Sequence, residues 1–242
     1  MLNLNMFKKT RPPIKLTQLT EKAEDTRTRI LNAALALFRR KGFEQTTMRE
    51  IAEEAGVSLG NAYYYFESKE ALVMAFYERA HMELPSHVTA AVAPATGLEE
   101  QLSAIINAKF AYFSPNRAFL GALFHHAADP ANALSPFSTE TRHIREADQQ
   151  HFAQALEDSG MHVPKDLAPH LPKLLWLYQM GLILFWIYDR SPRQRSTALL
   201  QRKSLALLVN GLRLIRLPVL RTVRKRIVEL VIAVEGDGDD DA

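Results

Sequence analysis

The sequence contains no cysteine among its 242 residues. Disulfide bridges, zinc sites built on thiolates and catalysis by a thiol are therefore excluded. Because nothing points to an oxidising compartment, we expect the protein to work in the reducing cytoplasm. The N-terminal stretch MLNLNMFKKTRPPIKL also lacks the uninterrupted apolar run and the small-residue cleavage site of a signal peptide.

Glycine and proline are sparse as well, with 10 and 12 residues, which excludes a fibrous or low-complexity chain. No segment alternates apolar and polar residues between hairpin turns, whereas apolar residues recur three and four positions apart nearly throughout. This periodicity predicts an all-α fold. We expect an N-terminal three-helix helix-turn-helix domain followed by a larger helical domain.

Motifs that carry catalysis are missing too. The patterns GxSxG, HExxH, GxGxxG and the phosphate loop do not occur, so we expect neither an enzyme nor a cofactor. His125 and His126 are adjacent and have no third ligand spaced with them, so no metal site is expected. The most apolar run, 174–188, is shorter than the roughly 20 residues that span a bilayer, which predicts a buried helix and no membrane association.

Charge is unevenly distributed along the chain. The formal net charge is +3, and the basic residues are concentrated in residues 1–23 and again from Arg190 to Arg226. The segment from Glu24 to Glu83 is close to neutral. Overall basicity is therefore weak support for nucleic-acid binding, which has to rest on the pattern of residues.

A first helix is predicted from about Asp25, with Ile30, Ala34 and Phe38 along one row. It ends at a basic turn followed by Gly42, because cations and then a glycine are typical of the last turn of a helix. The row of apolar residues predicts that this helix packs against the helices that follow.

The second helix begins with Thr47 and Glu50, the spacing of a capping box. Gly56 ends it, and Ser58 is placed to cap a third helix that runs to about Phe66. A fourth helix, capped by Ser68, is expected to end at Pro85, because proline does not continue a helix. Two short helices joined by a tight turn match a helix-turn-helix.

The segment that contains these helices reads TRTRILNAALALFRRKGFEQTTMREIAEEAGVSLGNAYYYFESKEAL. Its features at fixed spacing are Leu37 and Phe38, Gly42 and Phe43, Thr46 and Thr47, Ile51 and Ala52, Ala55 to Ser58, Tyr63, Phe66, Lys69 and Leu72. With these features the segment resembles the DNA-binding domain of the tetracycline-repressor (TetR) family of bacterial regulators. The likeness covers about a quarter of the chain, from Asp25 to about Pro85.

The resemblance implies a DNA-binding regulator of transcription, and repression is the commoner behaviour in the family. It implies that the helix from Ser58 to Phe66 enters the major groove and that the C-terminal helices form a homodimer and often contain an effector pocket. We expect a small, largely apolar effector to release the protein from DNA. A two-fold dimer needs a palindromic operator. The expected organisation is a flexible basic leader (1–23), the DNA-binding domain (24–85, motif 47–66), an effector-binding and dimerisation domain (86–234) and an acidic disordered tail (235–242).

The predicted DNA contacts lie in the second and third helices and at the start of the fourth. They are Thr47, Arg49, Ser58, Leu59, Gly60, Asn61, Tyr63, Tyr65 and Lys69. Unpaired N–H groups at a helix start bind phosphate, as do the Tyr63 and Tyr65 hydroxyls. Asn61 can pair with adenine through two hydrogen bonds, and Gly60 allows close approach to the DNA.

Several of these residues have a second interpretation. Arg49 is also placed to form an ion pair with Glu53 one turn away. Capping of the second helix is enough to explain a threonine at position 47. Tyr64, beside these residues, is as well placed to pack on the first helix as to face the DNA. Ala62 departs from the family pattern, which usually has a larger residue at this position. The third helix is therefore expected to pack more loosely on the first helix, or the ring of Tyr64 fills the space that the small side chain leaves.

The C-terminal domain is predicted to dimerise through the helix at 174–188 and through the helix that follows, two helices per subunit forming a four-helix bundle. The interface residues predicted on the following helix are Ala198, Leu205, Leu208, Leu212 and Ile215. The candidate effector-binding residues are Phe110, Phe113, Phe124, His125, Trp176, Gln179 and Trp186. Aromatic walls with one buried amide suit an apolar ligand, although such a stripe is also typical of a plain core.

Two other functions stay open. A helical lipid carrier would keep its activity after Asn61 and Lys69 are changed, because the third-helix surface would be expendable. A helix-turn-helix DNA-binding protein without a small-molecule effector would have a filled core in place of a pocket.

Overall fold

A computed structural model describes residues 16–127 and 132–236, with side chains over 21–124 and 132–233. These residues contain α-helices and short 3₁₀ turns and no β-strand, which confirms the all-α prediction. The helices are α1 (Leu16–Lys41), α2 (Met48–Glu54), α3 (Leu59–Tyr65), α4 (Lys69–Val92), α5 (Gly97–Phe113), α6 (Arg117–Ala127), α7 (Arg142–Asp158), α8 (Leu171–Tyr188), α9 (Arg195–Leu214) and α10 (Arg221–Gly236). The chain divides into two compact units, Met1–Leu72 and Val73–Ala242.

The first unit contains α1, α2, α3 and the start of α4. Its core is formed by Ile30 and Phe38 of α1, Ile51 of α2 and Ala62 of α3, all of which are almost fully buried. α1 begins at Leu16, well before Asp25, so residues 16–23 of the expected leader are helical. Residues 1–15 of that leader lie outside the described residues, as do residues 237–242 of the expected acidic tail.

α4 continues through Pro85 to Val92, so the expected end of this helix at Pro85 is wrong. A proline inside a helix loses one hydrogen bond and strains the turn before it. Pro85 is on the exposed side of α4, whereas Leu84 and Val88 on either side of it are buried in the second unit. Burial of both neighbours holds the helix together across the proline.

The core of the second unit lies between α4, α5, α7, α8 and α9. Its buried residues are Val88, Leu98, Leu102, Ile105, Phe152, Ala155, Leu167, Leu171, Leu175, Trp176, Leu205, Val209 and Leu212. α8 and the turn before it (168–188) are by length and composition alone capable of crossing a membrane. Leu171, Leu175 and Trp176 belong to the core, which is how a central helix of a bundle behaves.

α9 turns a different face to the core than expected. Leu205 and Leu212, predicted as interface residues, are 2% and 9% exposed because they face their own core, and Leu208 and Ile215 pack against the same cluster. Only Ala198 of the predicted set is exposed. The uncovered apolar residues of α9 are instead Leu199, Leu200, Leu207 and Leu214.

Candidate functional site

The start of α2 has the predicted capping box. The Thr47 hydroxyl accepts a hydrogen bond from the Glu50 backbone N–H (3.3 Å), and Glu50 Oε2 accepts from the Thr47 backbone N–H (2.9 Å). Hydrogen bonds from the Lys41 side chain and from Thr47 lower the pKa of Glu50 to about 2. The carboxylate therefore stays ionised and fixes the start of α2 at neutral pH.

The turn between α2 and α3 depends on Gly56. This residue has φ +65°, and Val57 N–H bonds to Ala52 O at 2.9 Å while Gly56 N–H bonds to Glu53 O at 3.1 Å. These two bonds form the Schellman end of α2, which favours glycine at the left-handed position. Ser58 then caps α3, since its Oγ accepts from the Asn61 N–H at 3.1 Å.

α3 turns one face to the core and leaves the rest uncovered. Ala62 is 0% exposed, whereas Ser58, Gly60, Asn61 and Tyr63 are all exposed and Leu59 and Tyr65 are half-buried. A Cβ added to Gly60 would meet no atom within 4 Å. α3 contains no charged residue. Its uncovered face therefore offers hydroxyl, amide and aromatic groups to a partner.

Tyr64 is 81% exposed, so the interpretation that it packs on α1 and compensates for Ala62 is wrong. At about 100° per residue, Tyr64 lies about 200° round the helix from Ala62. This spacing was the signal that sequence reasoning missed. Tyr64 belongs with the uncovered face of α3, where its ring contacts Tyr65 edge-on at 5.2 Å between centroids.

Arg49 is exposed on α2. Among the described side chains no ion pair joins it to Glu53, the alternative partner one turn away. Its guanidinium is therefore available to a phosphate or a guanine, which are the anion and the base that arginine binds through two hydrogen bonds.

Lys69 has contacts within the first unit. Its Nζ donates to Phe43 O (2.8 Å) and Glu44 O (3.4 Å) and lies 4.5 Å from the centroid of the Phe43 ring. These contacts attach the start of α4 to the loop after α1. They use two of the three N–H donors of the ammonium and leave one for another acceptor.

The second unit contains a cavity of about 210 Å³ between α4, α5, α6, α7 and α8. Its wall is mainly apolar and includes Tyr77, Leu84, Phe113, Leu123, Phe124, Ile144, Trp176, Met180, Ile183 and Ile187. A concave, mainly apolar space with a few polar groups is the usual form of a small-molecule site.

A buried polar cluster interrupts this apolar wall, which also includes His81, Thr141 and Arg145. Lys109 Nζ is 2.6 Å from Asp148 Oδ1 and 2.7 Å from Gln179 Oε1, and Gln179 Nε2 donates to Asp148 Oδ2 at 3.2 Å. Lys109 is 2% exposed and Gln179 1%. The three side chains form a closed triangle, so each buried polar group has a partner.

Within the triangle the pKa values of Lys109 and Asp148 are both shifted from their ordinary values. Burial lowers the pKa of Lys109, although the carboxylate of Asp148 acts in the opposite direction. Burial by itself raises the pKa of Asp148, but the ammonium of Lys109 and the nearby polar side chains of His151 and Gln179 outweigh it and lower the pKa to about 2. Nearby, His151 Nδ1 is buried 3.7 Å from Asp148 Oδ1 and has no hydrogen-bond partner among the described residues.

The structure brings four predicted effector-binding residues to the cavity, namely Phe113, Phe124, Trp176 and Gln179. Phe110 and Trp186 do not line it, because their rings stack on each other at 5.1 Å between centroids. The side chain of His125 lies outside the described residues.

Sequence reasoning missed Lys109 and Asp148. Lys109 continues the buried row of Leu102, Ile105 and Ile106 on α5, and a cation in such a row is the signal that a buried partner exists.

Among the described residues no group of three or more His, Asp or Glu side chains is placed to hold a metal ion.

Two family profiles match the chain. The profile described as "Tetracyclin repressor-like, C-terminal domain" matches residues 101–229, more than half of the chain. The profile described as "Bacterial regulatory proteins, tetR family" matches residues 30–76. The two matched segments contain the helix-turn-helix and most of the helices that surround the cavity.

The curated relatives are similar over only part of the chain. The chain is 42% identical to the transcriptional regulator UidR of Escherichia coli K12 over 60 residues, 25% of this chain and 31% of UidR. It is 34% identical to the uncharacterised regulator YerO of Bacillus subtilis over 107 residues, 43% of this chain and 37% of YerO. The similarity thus spans about a third of the length of these relatives.

Solved structures are similar over most of the chain. FadR of Thermus thermophilus, a TetR-family repressor in complex with lauroyl-CoA, is 26% identical with a TM-score of 0.55 over 76% of this chain and 94% of that one. The fatty acid degradation regulator FadR of Bacillus halodurans is 17% identical with a TM-score of 0.58 over 83% of this chain and 96% of that one, a likeness of fold alone. The profile matches, the capped helix-turn-helix and the shared fold together identify the chain as a member of the TetR family of bacterial transcriptional regulators.

Proposed function

We propose that the protein is a repressor that binds a palindromic operator as a homodimer and is released by a small, largely apolar effector. The observation that carries this proposal is the uncovered face of α3, presented beyond a fully capped turn in a chain of this family. A regulator of this kind acts on double-stranded DNA in the cytoplasm.

The operator contacts divide into two groups. Asn61 is exposed and suits recognition of an adenine edge, while half-buried Leu59 and open Gly60 allow contact with a thymine methyl. Arg49, Tyr63 and Tyr65 supply hydrogen bonds to phosphates. Because the hydroxyls of Thr47 and Ser58 already cap their helices, these two residues position the backbone N–H groups that face the DNA. The free N–H of Lys69 contributes one phosphate contact.

The homodimer forms through the uncovered faces of α8 and α9. On α8 these apolar residues are Leu177, Leu184, Phe185 and Tyr188, and on α9 they are Leu199, Leu200, Leu207 and Leu214. Gly181 and Gly211 lie on the same exposed faces, and a Cβ on either would meet no atom within 4 Å. Small residues there let a partner helix approach closely in a four-helix arrangement.

The effector occupies the cavity of the second unit. Its apolar wall favours a hydrocarbon or aromatic body, and the triangle of Lys109, Asp148 and Gln179 binds one polar group of the ligand. The Thermus thermophilus relative binds lauroyl-CoA, which supports an apolar effector for this chain.

Replacing Asn61 with alanine is expected to weaken operator binding by about 1 to 3 kcal/mol and to relax the preference at one base pair in each half-site. The measurement is binding to operator variants with single base changes, after footprinting has located the operator. Gln154→Ala, an exposed amide on α7, is the matched control and leaves operator affinity unchanged. Binding of a monomer to one asymmetric half-site contradicts the proposal.

Replacing Ile183 with tryptophan is expected to fill the cavity and abolish the effector response while operator affinity stays intact. The readout is binding of the apolar fluorescent probe 1-anilinonaphthalene-8-sulfonate, followed by operator release with fatty acyl and aromatic compounds. Met82→Trp is the control, because Met82 is 79% exposed. If no compound releases the wild type from DNA, the alternative holds, a DNA-binding protein without an effector.

A further inference from the structure

α7 forms the polar side of the cavity in the second unit. Four of its lining residues are polar and follow one another at helical spacing, which keeps them on one face of the helix. They are Thr141, Arg145, Asp148 and His151. α6 and α8 line the cavity mainly with apolar residues, such as Leu123 and Ile183. A ligand with one polar end is therefore expected to direct that end towards α7.

The charges that line the cavity do not balance. Lys109 and Asp148 form an ion pair, 2.6 Å between Nζ and Oδ1, and neutralise each other. Arg145 is a second permanent cation of the wall, and Asp148 is the sole carboxylate among the described residues that line it. His81 and His151 also line the cavity and add positive charge when they are protonated. The wall thus has one permanent positive charge that no carboxylate offsets.

Arg145 has hydrogen-bond donors that no other residue uses. Its Nη1 donates to Pro136 O (2.7 Å) and to Ser138 O (3.2 Å), and the guanidinium carbon is 6.0 Å from the centroid of the Trp176 ring. Within 16–127 and 132–236, neither Nε nor Nη2 has an acceptor. The N–H groups of these two atoms lie side by side and suit the two oxygens of one carboxylate. The contacts of Nη1 and Trp176 orient the guanidinium for this purpose.

Partial burial makes an anionic partner more favourable for Arg145. The side chain is half-buried. Burial lowers its pKa, the positive charge of Arg142 lowers it further, and only the exposed carboxylate of Glu146 acts in the opposite direction. The guanidinium nevertheless stays charged at neutral pH, because its ordinary pKa is so high. A partly desolvated cation of this kind binds an anion more strongly than a cation in water does.

We propose that the effector is an apolar carboxylic acid, bound as its carboxylate by Nε and Nη2 of Arg145, with its hydrocarbon or aromatic body against the apolar wall. A carboxylate offsets the positive charge of the wall, whereas an alcohol or an ester leaves it in place. An amine adds a second positive charge beside the guanidinium. This inference rests on the effector cavity of the proposed function and names the chemical class of the ligand.

The size of the cavity favours the free acid over a coenzyme A thioester. Its volume of about 210 Å³ is below the range of roughly 300 to 1,000 Å³ that is usual for ligand pockets. A thioester has no charge at the end of its acyl chain and would leave Arg145 without an anion there. The lauroyl-CoA of the Thermus thermophilus relative has its charges on phosphate groups instead. The two classes of ligand can therefore be distinguished by their dependence on Arg145.

The test compares matched ligands on the full-length protein. Naphthaleneacetate, naphthaleneethanol and naphthaleneethylamine share one ring system and differ in the charge of the polar end. Decanoate and decanol form a second pair with an aliphatic body. Calorimetry at neutral pH measures each dissociation constant. We expect each acid to bind at least about tenfold more tightly than its alcohol, and the amine to bind most weakly.

Three variants assign the preference to the guanidinium. Arg145→Met removes the charge and keeps an apolar stem, so it should weaken binding of the acids at least about tenfold and leave binding of the alcohols unchanged. Arg145→Lys keeps the charge without the paired donors and should fall between Arg145→Met and the wild type. Arg142→Met is the matched control, because Arg142 is an exposed cation of α7 that does not line the cavity, and it should change neither affinity.

The contrary results separate this inference from the proposed function. Equal binding of acid and alcohol, tightest binding of the amine, or an equal loss of both ligands in Arg145→Met and Arg145→Lys overturns the carboxylate and leaves an apolar effector. Decanoyl-CoA that binds more tightly than decanoate, with the same affinity for the wild type and Arg145→Met, overturns the free acid. If none of these ligands binds to the wild type, the effector cavity of the proposed function is contradicted as well.

Discussion

Replacing Asp148 with alanine is expected to lower the free energy of unfolding by about 3 to 5 kcal/mol. The change leaves the ammonium of Lys109, 2% exposed, without its carboxylate at 2.6 Å. A buried charge without a partner is costly because the desolvation of the ammonium is no longer offset by the carboxylate. Urea denaturation monitored by circular dichroism measures this loss.

The triple variant Lys109→Met, Asp148→Leu and Gln179→Leu removes the whole triangle without leaving the Gln179 amide unpaired, and it separates the cost of a buried charge from the loss of a stabilising pair. We expect it to be near neutral or more stable than wild type, since apolar residues of similar volume need no solvation. If the triple variant loses as much stability as Asp148→Ala, the triangle itself stabilises the fold, and an unpaired ammonium is not the cause of the loss in the single variant.

The same pair predicts a pH dependence. The pKa of Asp148 is about 2 in the folded protein, below its ordinary value of 3.8. A carboxyl whose pKa is lowered by folding stabilises the protein above its unfolded-state pKa, and this contribution is lost as the pH falls towards the folded-state value. Stability from this group should therefore decline between about pH 4 and pH 2, and Asp148→Asn should remove that part of the decline.

Replacing Phe38 with alanine is expected to destabilise the first unit by about 3 to 5 kcal/mol and to abolish operator binding at micromolar concentrations. Phe38 is 1% exposed, and its ring centroid is 5.2 Å from that of Phe43. The change removes a large apolar side chain and leaves a cavity in the core on which the helix-turn-helix depends. Amide hydrogen exchange of residues 25–66 measures the loss of protection.

Tyr64→Ala is the matched control for this experiment. It also removes an aromatic ring from the first unit, but from a position that is 81% exposed. Stability should change by less than about 0.5 kcal/mol. Equal losses of protection in Phe38→Ala and Tyr64→Ala would show that the core of the unit lies elsewhere.

Local signals predicted the helix-turn-helix well. Thr47 with Glu50, Gly56 and Ser58 are residues whose own chemistry determines a cap or a turn, and the structure has each of them in that role. What these signals share is that each acts within one helical turn.

The wrong or missed predictions concern features that depend on packing between residues far apart in the sequence. The continuation of α4 through Pro85 depends on the burial of Leu84 and Val88, which local rules for proline do not include. α9 is apolar on two faces. Periodicity alone could not distinguish the face of Leu205, which is buried in the core, from the face of Leu207, which is exposed. Lys109 and Asp148 are far apart in the sequence, and only the packing of α5 against α7 brings them together.

The absence of charge on α3 has a consequence for behaviour in salt. Release of counterions from DNA scales with the number of phosphates that cations neutralise. Because α3 has no cation, that electrostatic part of binding comes from residues outside it, such as Arg49 and Lys69. Raising the ionic strength should therefore weaken binding to operator DNA and to random DNA by nearly the same factor. The ratio of the two affinities would then stay constant in cells whose internal salt concentration varies.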